Sequence, residues 1–224
     1  MRFTVRYTVF AIATLVLALC ADGLVSIAAT PGPPRPRTTG QALPAPGTYE
    51  IDPPHTFAYF DARHEVVGLV RGRFDKIAGT ITVAKDPAAC SLDVTIDASS
   101  ISTQNAMRDE DLRGPDFFDV NDFPTLTYRG HGIRRASGNA WTMNGSLTIR
   151  GVTKVVPLRI IFKGTAPTDP GKPTRVAFHG VAATKRAEFG MKRDLLKELG
   201  LSPAPGPDVD IELDSEALAQ PPSP

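Results

Sequence analysis

The feature that most constrains this chain is a two-residue hydrophobic period that recurs in short segments. In Trp141–Arg150, the residues Trp141, Met143, Gly145, Leu147 and Ile149 fall on one side, and Thr142, Asn144, Ser146, Thr148 and Arg150 on the other. Leu92, Val94 and Ile96 alternate with Asp93, Thr95 and Asp97, and Val209, Ile211 and Leu213 with Asp208, Asp210, Glu212 and Asp214. Successive side chains of a β-strand point to opposite faces, so each segment predicts a half-buried strand. Weaker alternation runs through Thr56–His64, Leu126–Ile133, Val156–Phe162 and Val176–Ala183, with Ile81 and Val83 in another segment. The stretch around Tyr49–Ile51 brings the expectation to eight or nine strands, most of them separated by Gly-rich turns. Such spacing leaves no room for helical crossovers, which predicts an antiparallel sheet.

Two segments depart from the period. Asn105–Leu112 reads as a short helix stopped by Gly114-Pro115, with an aromatic turn at Asp116-Phe117-Phe118-Asp119 after it. Arg193–Leu199 reads as a second helix, closed by Gly200 with Pro203 beyond. An all-β domain of this size with two small helices is either a barrel or a sandwich, and periodicity alone does not choose.

The ends have another composition. Residues 1–29 carry Arg2 and Arg6, an apolar run from Tyr7 to Leu19 and small residues around Ser26-Ile27-Ala28-Ala29, the pattern of a secretory signal peptide. An uncleaved membrane anchor is the alternative, although the run is short for a span and Asp22 interrupts it. A lipoprotein reading of Leu17-Ala18-Leu19-Cys20 also stays open, with Leu19 bulky where a small residue is expected. Of 21 prolines, six lie in Pro31–Pro46 and six in Pro203–Pro224. The first cluster makes 30–46 an extended linker. One domain is expected over 47–217, with a disordered tail over 218–224. Export, to the periplasm or outside the cell, is the expected location.

Removing residues 1–29 takes two of 25 basic and one of 24 acidic side chains, leaving 23 of each. A neutral chain lacks the basic surplus that duplex binding requires, so no nucleic-acid partner is expected. Cys90 would then be the single thiol, able to join two chains only if exposed, and no internal disulfide can form.

Signatures of catalysis are sparse. His55, His64, His131 and His179 include no i, i+2 or i, i+4 pair, so no metal site is predicted. Asp109, Asp111 and Gly114 match the first, third and sixth positions of a calcium loop, but Arg113 occupies a ligand position and Val120 stands where the bidentate Glu belongs. Asp109 and Arg113 read better as a helix-surface ion pair. There is no G-x-S-x-G, no S-x-x-K and no P-loop spacing. No cofactor and no catalytic residue are predicted. The inward faces are more informative. Gly145 lies beside Met143, Leu147 and Ile149; Gly130 and Gly132 follow Leu126 and Tyr128; Gly180 and Ala182 follow Phe178; and Ala58 and Ala62 flank Phe60. Each glycine alone is explained by strand coiling or a bulge. As a set, small inward residues predict a void in a barrel that ordinary side chains would otherwise fill.

Three ordered blocks carry a family resemblance. The first strand opens with Tyr49-Glu50-Ile51-Asp52-Pro53-Pro54-His55, followed by Phe60, Arg63-His64 and Gly72-Arg73-Phe74. The main block runs from Arg108 through Asp109-Glu110-Asp111-Leu112-Arg113-Gly114-Pro115-Asp116-Phe117-Phe118-Asp119-Val120 to Phe123-Pro124. The others are Gly145-Ser146-Leu147-Thr148-Ile149-Arg150-Gly151-Val152-Thr153-Lys154 and Lys185-Arg186-Ala187-Glu188-Phe189-Gly190-Met191, where Glu188 stands in place of the more usual Asp. Together they resemble the YceI-like family of exported, lipocalin-like, polyisoprenoid-binding proteins, across nearly the whole domain. The resemblance implies an extended eight-stranded antiparallel lipocalin-like barrel with two short helices, whose interior takes an isoprenoid or similar apolar lipid, and no established catalysis.

The leading expectation is therefore non-enzymatic binding, transport or sequestration of a long apolar lipid, with transient membrane contact left open. The lining is assigned to Ala58, Phe60, Ala62, Val94, Ile96, Leu126, Tyr128, Met143, Gly145, Leu147, Ile149, Leu158, Ile160, Phe162 and Phe178. The entrance is assigned to His64, Phe117, Phe118, Lys185, Arg186 and Phe189, with Lys154, Lys192 and Arg193 also within reach of a head group. Two alternatives stand beside it. One is an enzyme acting on an apolar substrate with His64 or one of Asp109, Glu110 and Asp111 as acid or base. The other is a structural β-sandwich with a filled core.

Overall fold

The computed structural model describes residues 43–64, 68–166, 170–191 and 209–221. Residues 1–29, read above as a signal peptide, most of the expected linker and the helix expected at Arg193–Leu199 lie outside these residues, as do Lys192 and Arg193. Eleven strands are present among the described residues: β1 (Gly47–His64), β2 (Gly68–Phe74), β3 (Ile77–Val83), β4 (Ser91–Asp97), β5 (Ile101–Ser102), β6 (Thr125–His131), β7 (Arg134–Arg135), β8 (Ala140–Ile149), β9 (Val152–Thr165), β10 (Arg175–Thr184) and β11 (Val209–Ala219). One α-helix, α1 (Ala106–Arg113), lies among the described residues, begun by the Asn105 side chain accepting from the Arg108 N–H.

Eight of the strands close a ring. The order β11-β10-β9-β8-β6-β4-β3-β1 returns to β11, with every pair antiparallel. Closure removes the sandwich alternative, because a sandwich keeps its sheet edges. Two of the three extra strands come from breaks lying side by side, and the third, β7, pairs with β8. β2 and β3 follow one another along the same edge of β1, which pairs Ala58–His64 with β2 and Gly47–Glu50 with β3. β5 likewise continues β4 beyond a short 3₁₀ turn at Ala98–Ser100. At the breaks the Asp75 N–H donates to the Ser100 carbonyl at 3.2 Å and the Asp97 N–H to the Lys76 carbonyl at 3.0 Å. β2 escapes detection from sequence because two glycines and two arginines dilute its alternation, although Val70, Gly72 and Phe74 hold the period.

The segments expected around Tyr49–Ile51 and at Thr56–His64 are one strand. Asp52-Pro53-Pro54-His55 lies where the β1–β11 register shifts between Ile51 and Thr56. Proline cannot donate to a ladder, so a Pro pair belongs at such an irregularity. The Arg175 guanidinium crosses this seam, donating to Asp52 on β1 and, at 2.6 Å, to Glu216 on β11.

Two expectations are corrected, and one condition is settled. Leu218 and Ala219 belong to β11, and the Gln220 N–H donates to the Thr48 carbonyl at 2.8 Å, so the barrel extends into the segment read as a tail. Asp109 is buried rather than on the helix surface: its Oδ1 accepts from the Thr103 N–H at 2.7 Å and from the Thr103 hydroxyl at 2.5 Å. Arg113 instead donates to the Ser99 and Ile101 carbonyls and lies 3.8 Å from Glu110. Cys90 is buried, with its Sγ against Ala84, and offers no thiol for joining chains.

Candidate functional site

The ring encloses a chamber of about 370 Å³ whose walls are almost wholly apolar. Reading each strand in steps of two shows how it is built. On β9, Val156 lines the chamber, Leu158 lines both it and a second cavity of about 60 Å³, and Ile160 lines the second cavity alone. On β11 the same order is Val209 and Ile211, then Leu213, then Ser215. On β4, Val94 and Ile96 face the large chamber and Leu92 borders both. Inward residues two apart on a strand are about 7 Å apart along it, so the interior is stacked in layers along the barrel.

Ten of the assigned lining residues border the large chamber: Ala58, Phe60, Ala62, Val94, Ile96, Leu126, Tyr128, Leu147, Ile149 and Leu158. Met143, Ile160 and Phe178 border only the small cavity. Phe162 borders neither; it is 1 % exposed and packs with Tyr49, Val83 and Phe178 in a filled end layer. Gly145 also borders neither, and its case corrects the expectation that inward glycines leave emptiness. A Cβ on Gly145 would overlap the Tyr128 ring, one on Gly130 the Met143 thioether and one on Gly72 the Phe60 ring. These glycines admit a neighbour's large side chain across the strand pair. The open space comes instead from Ala58, Ala62 and Ala182 and from the spacing of the walls.

Tyr128 is held by this packing. Its hydroxyl donates to the Val156 carbonyl at 3.0 Å, and burial pushes its pKa from 10.0 up to about 12. A folded-state value above the unfolded one means that the folded barrel holds this proton more tightly. The associated stability is complete below pH about 10 and is lost as pH rises through about 12. We expect the urea midpoint to fall steeply over that window. In Tyr128→Phe the fall should be shallower, and the hydroxyl's hydrogen bond should be missed by about 1 kcal/mol at neutral pH. Equal slopes in the two proteins would refute this assignment.

The chamber opens where exposed residues also line it. Arg63 and Asp111 are exposed, and Arg108 and Arg186 are half-buried beside them. The Arg186 guanidinium donates to the Arg63 carbonyl at 3.3 Å, and Arg108 donates to the Thr103 hydroxyl and carbonyl. Of the assigned entrance residues, Phe117, Phe118, Arg186 and Phe189 line this end. Phe189 is fully covered, whereas Lys185 is exposed and outside the lining. His64 ends β1 at the same end. Lys154 is exposed and also outside the lining. An aromatic chain, Phe60 to Phe74 at 5.8 Å and Phe74 to Phe118 edge-on at 5.4 Å, forms one wall of the mouth.

Arg150, which the sequence reading did not single out, organises that mouth. β8 and β9 are joined by Arg150 and Gly151, with φ of 52° and 71°. Positive φ at both positions is the type I′ geometry that suits strand twist, and it is unusual for arginine. The Arg150 side chain donates to the Pro115 carbonyl at 2.6 Å and to the Phe117 carbonyl, and lies over the Phe123 ring. A hairpin turn thereby holds the loop that carries Phe117 and Phe118.

The candidate acid–base groups separate. Asp109 is taken up by Thr103, Glu110 is exposed outside the lining, and Asp111 alone borders the chamber. Among the described residues, two groups of metal-ligating type assemble across strands, where sequence spacing does not show them. Asp52, His55 and Glu216 are one, already bridged by Arg175; His179, Glu212 and Asp214 on the outer face of β10 and β11 are the other.

Comparison with known proteins gives consistent relatives. A family model described as the YceI-like domain matches residues 49–217. A UPF0312 protein of Pseudomonas paraeruginosa is 34% identical over 184 residues, covering 82% of this chain and 92% of the relative. The solved YCEI protein of Campylobacter jejuni matches with a TM-score of 0.58 and 27% identity, over 71% of this chain and 90% of that one. A domain of Saccharophagus degradans described as polyisoprenoid binding and implicated in plant cell wall breakdown matches with a TM-score of 0.57, over 77% of this chain and 98% of that one. Its 18% identity speaks to the fold alone.

Proposed function

The chain belongs to the family of YceI-like domains, and from that premise we propose that it is an exported, non-enzymatic carrier of a single apolar chain of the polyisoprenoid class. The observation that carries the reading is the chamber of about 370 Å³, apolar in its depth and bordered by Arg63, Arg108, Asp111 and Arg186 at its open end. An empty apolar cavity leaves its wall atoms without partners, and an inserted hydrocarbon restores those contacts. Each buried methylene contributes about 0.8 kcal/mol. A polar or anionic terminus stays among the guanidinium groups at the mouth, where it keeps its hydration. The Saccharophagus degradans domain that shares this fold is itself described as polyisoprenoid binding.

Native mass spectrometry of the gently purified protein tests this. The expected spectrum holds a second species heavier by one apolar molecule, released on denaturation and identified as an isoprenoid by its mass. A spectrum of bare protein, together with failure to take up farnesol from solution, would remove the proposal.

A further inference from the structure

We propose that Leu158, with Leu92 and Leu213 beside it, is the floor that sets how much of an apolar chain the barrel can bury. The inference rests on the lipid-binding reading and adds a length limit to it. The three leucines border both the large chamber and the cavity of about 60 Å³ behind it, and they come from β9, β4 and β11 at the same level of the barrel. Around them the level is closed: the Tyr128 ring sits against Gly145, the Met143 side chain against Gly130, and Leu158 packs on Gly180. A Cβ on Gly180 would already lie 3.2 Å from Leu158 Cδ1. The lipid chamber is therefore blind, and a pocket with no polar lining to speak of lies directly beneath it.

Volumes turn this into a length. A dry apolar cavity of about 150 Å³ takes one benzene, so about 370 Å³ takes on the order of fifteen carbons, or three isoprene units. Any further length stays at the mouth and adds no buried surface. Shortening Leu158 to alanine removes three carbons from the floor and joins the second cavity of about 60 Å³, which raises the capacity to about twenty carbons, or four isoprene units.

The experiment measures the affinity of prenyl alcohols with two to six isoprene units for the wild-type protein, Leu158→Ala and Leu158→Phe, by displacement of a fluorescent fatty acid. Affinity should rise about fourfold for each methylene that becomes buried and then level off. The plateau is expected at three units in the wild type, at four in Leu158→Ala and at two in Leu158→Phe. If Leu158→Ala does not fold, the downward shift in Leu158→Phe carries the test alone. A plateau at the same length in every folded protein would overturn the length limit while leaving lipid binding intact. Absence of binding at every length would overturn both.

Discussion

Ala182→Phe is expected to weaken binding of a prenyl alcohol by more than about a hundredfold while making the empty barrel more stable. Ala182 is half-buried on β10 between Gly180 and Thr184, and it lines the large chamber. A benzyl group there would take roughly 150 Å³, the space of one benzene, out of about 370 Å³. The ligand would lose about six buried methylenes, nominally about 5 kcal/mol. Some of the displaced chain can fold against the mouth, which leaves a net loss of at least about 3 kcal/mol, or two orders of magnitude in affinity. The free protein responds the other way. Filling a cavity removes a standing cost, so a gain of about 1 kcal/mol in urea unfolding is expected. Opposite signs in the two measurements separate a blocked site from a damaged fold. Unchanged affinity would show that the chamber is not where the chain binds.

Asp109→Ala should cost about 2–4 kcal/mol of stability, far more than a helix-surface ion pair could account for. The Asp109 carboxylate is 8 % exposed and accepts both the backbone N–H and the hydroxyl of Thr103, which is itself buried. Hydrogen bonds to a charged acceptor contribute about 1.5–3 kcal/mol each, and the alanine variant would leave the Thr103 N–H buried without its partner. Arg108 also donates to the Thr103 hydroxyl, so the loss spreads to a residue at the chamber mouth. An exposed i, i+4 pair would contribute only about 0.3–0.5 kcal/mol, and a urea midpoint that barely moves would favour that reading instead. Asp109→Asn, which keeps an acceptor oxygen, should recover a large part of the loss. Because α1 carries Arg108, Asp111 and Leu112 to the opening, the alanine variant should also bind chains less tightly.

Much of the barrel could be read before any coordinates. Alternation in β4, β8 and β11 places their inward residues correctly because a strand has only two faces, and the polar partners leave one choice of which face is buried. The same logic failed at β2, whose glycines and arginines hide the period, and at the Pro pair, which made one strand look like two. The wall residues Val70, Phe74, Leu92, Ile211 and Leu213 were missing from the assigned lining. For Leu92, Ile211 and Leu213 the signal was present, since each lies on an alternating face already recognised. Arg150 and Asp109 carried no such signal. Their partners, the Pro115 and Phe117 carbonyls and the two Thr103 donors, are chosen by how a hairpin and a helix meet neighbouring loops.

What the order of residues determined by itself is local: the strand period, the antiparallel pairing that short turns impose, a short helix at 105–112 and the family to which the blocks point. What only the folded chain decided is how the interior is filled. Whether an inward glycine leaves space or admits a ring depends on the residue facing it on another strand, and Tyr128 and Met143 reach Gly145 and Gly130 only once register is set. Closure of the ring and the floor at Leu158 follow in the same way. Volume belongs to the whole assembly of side chains, and no stretch of sequence contains it.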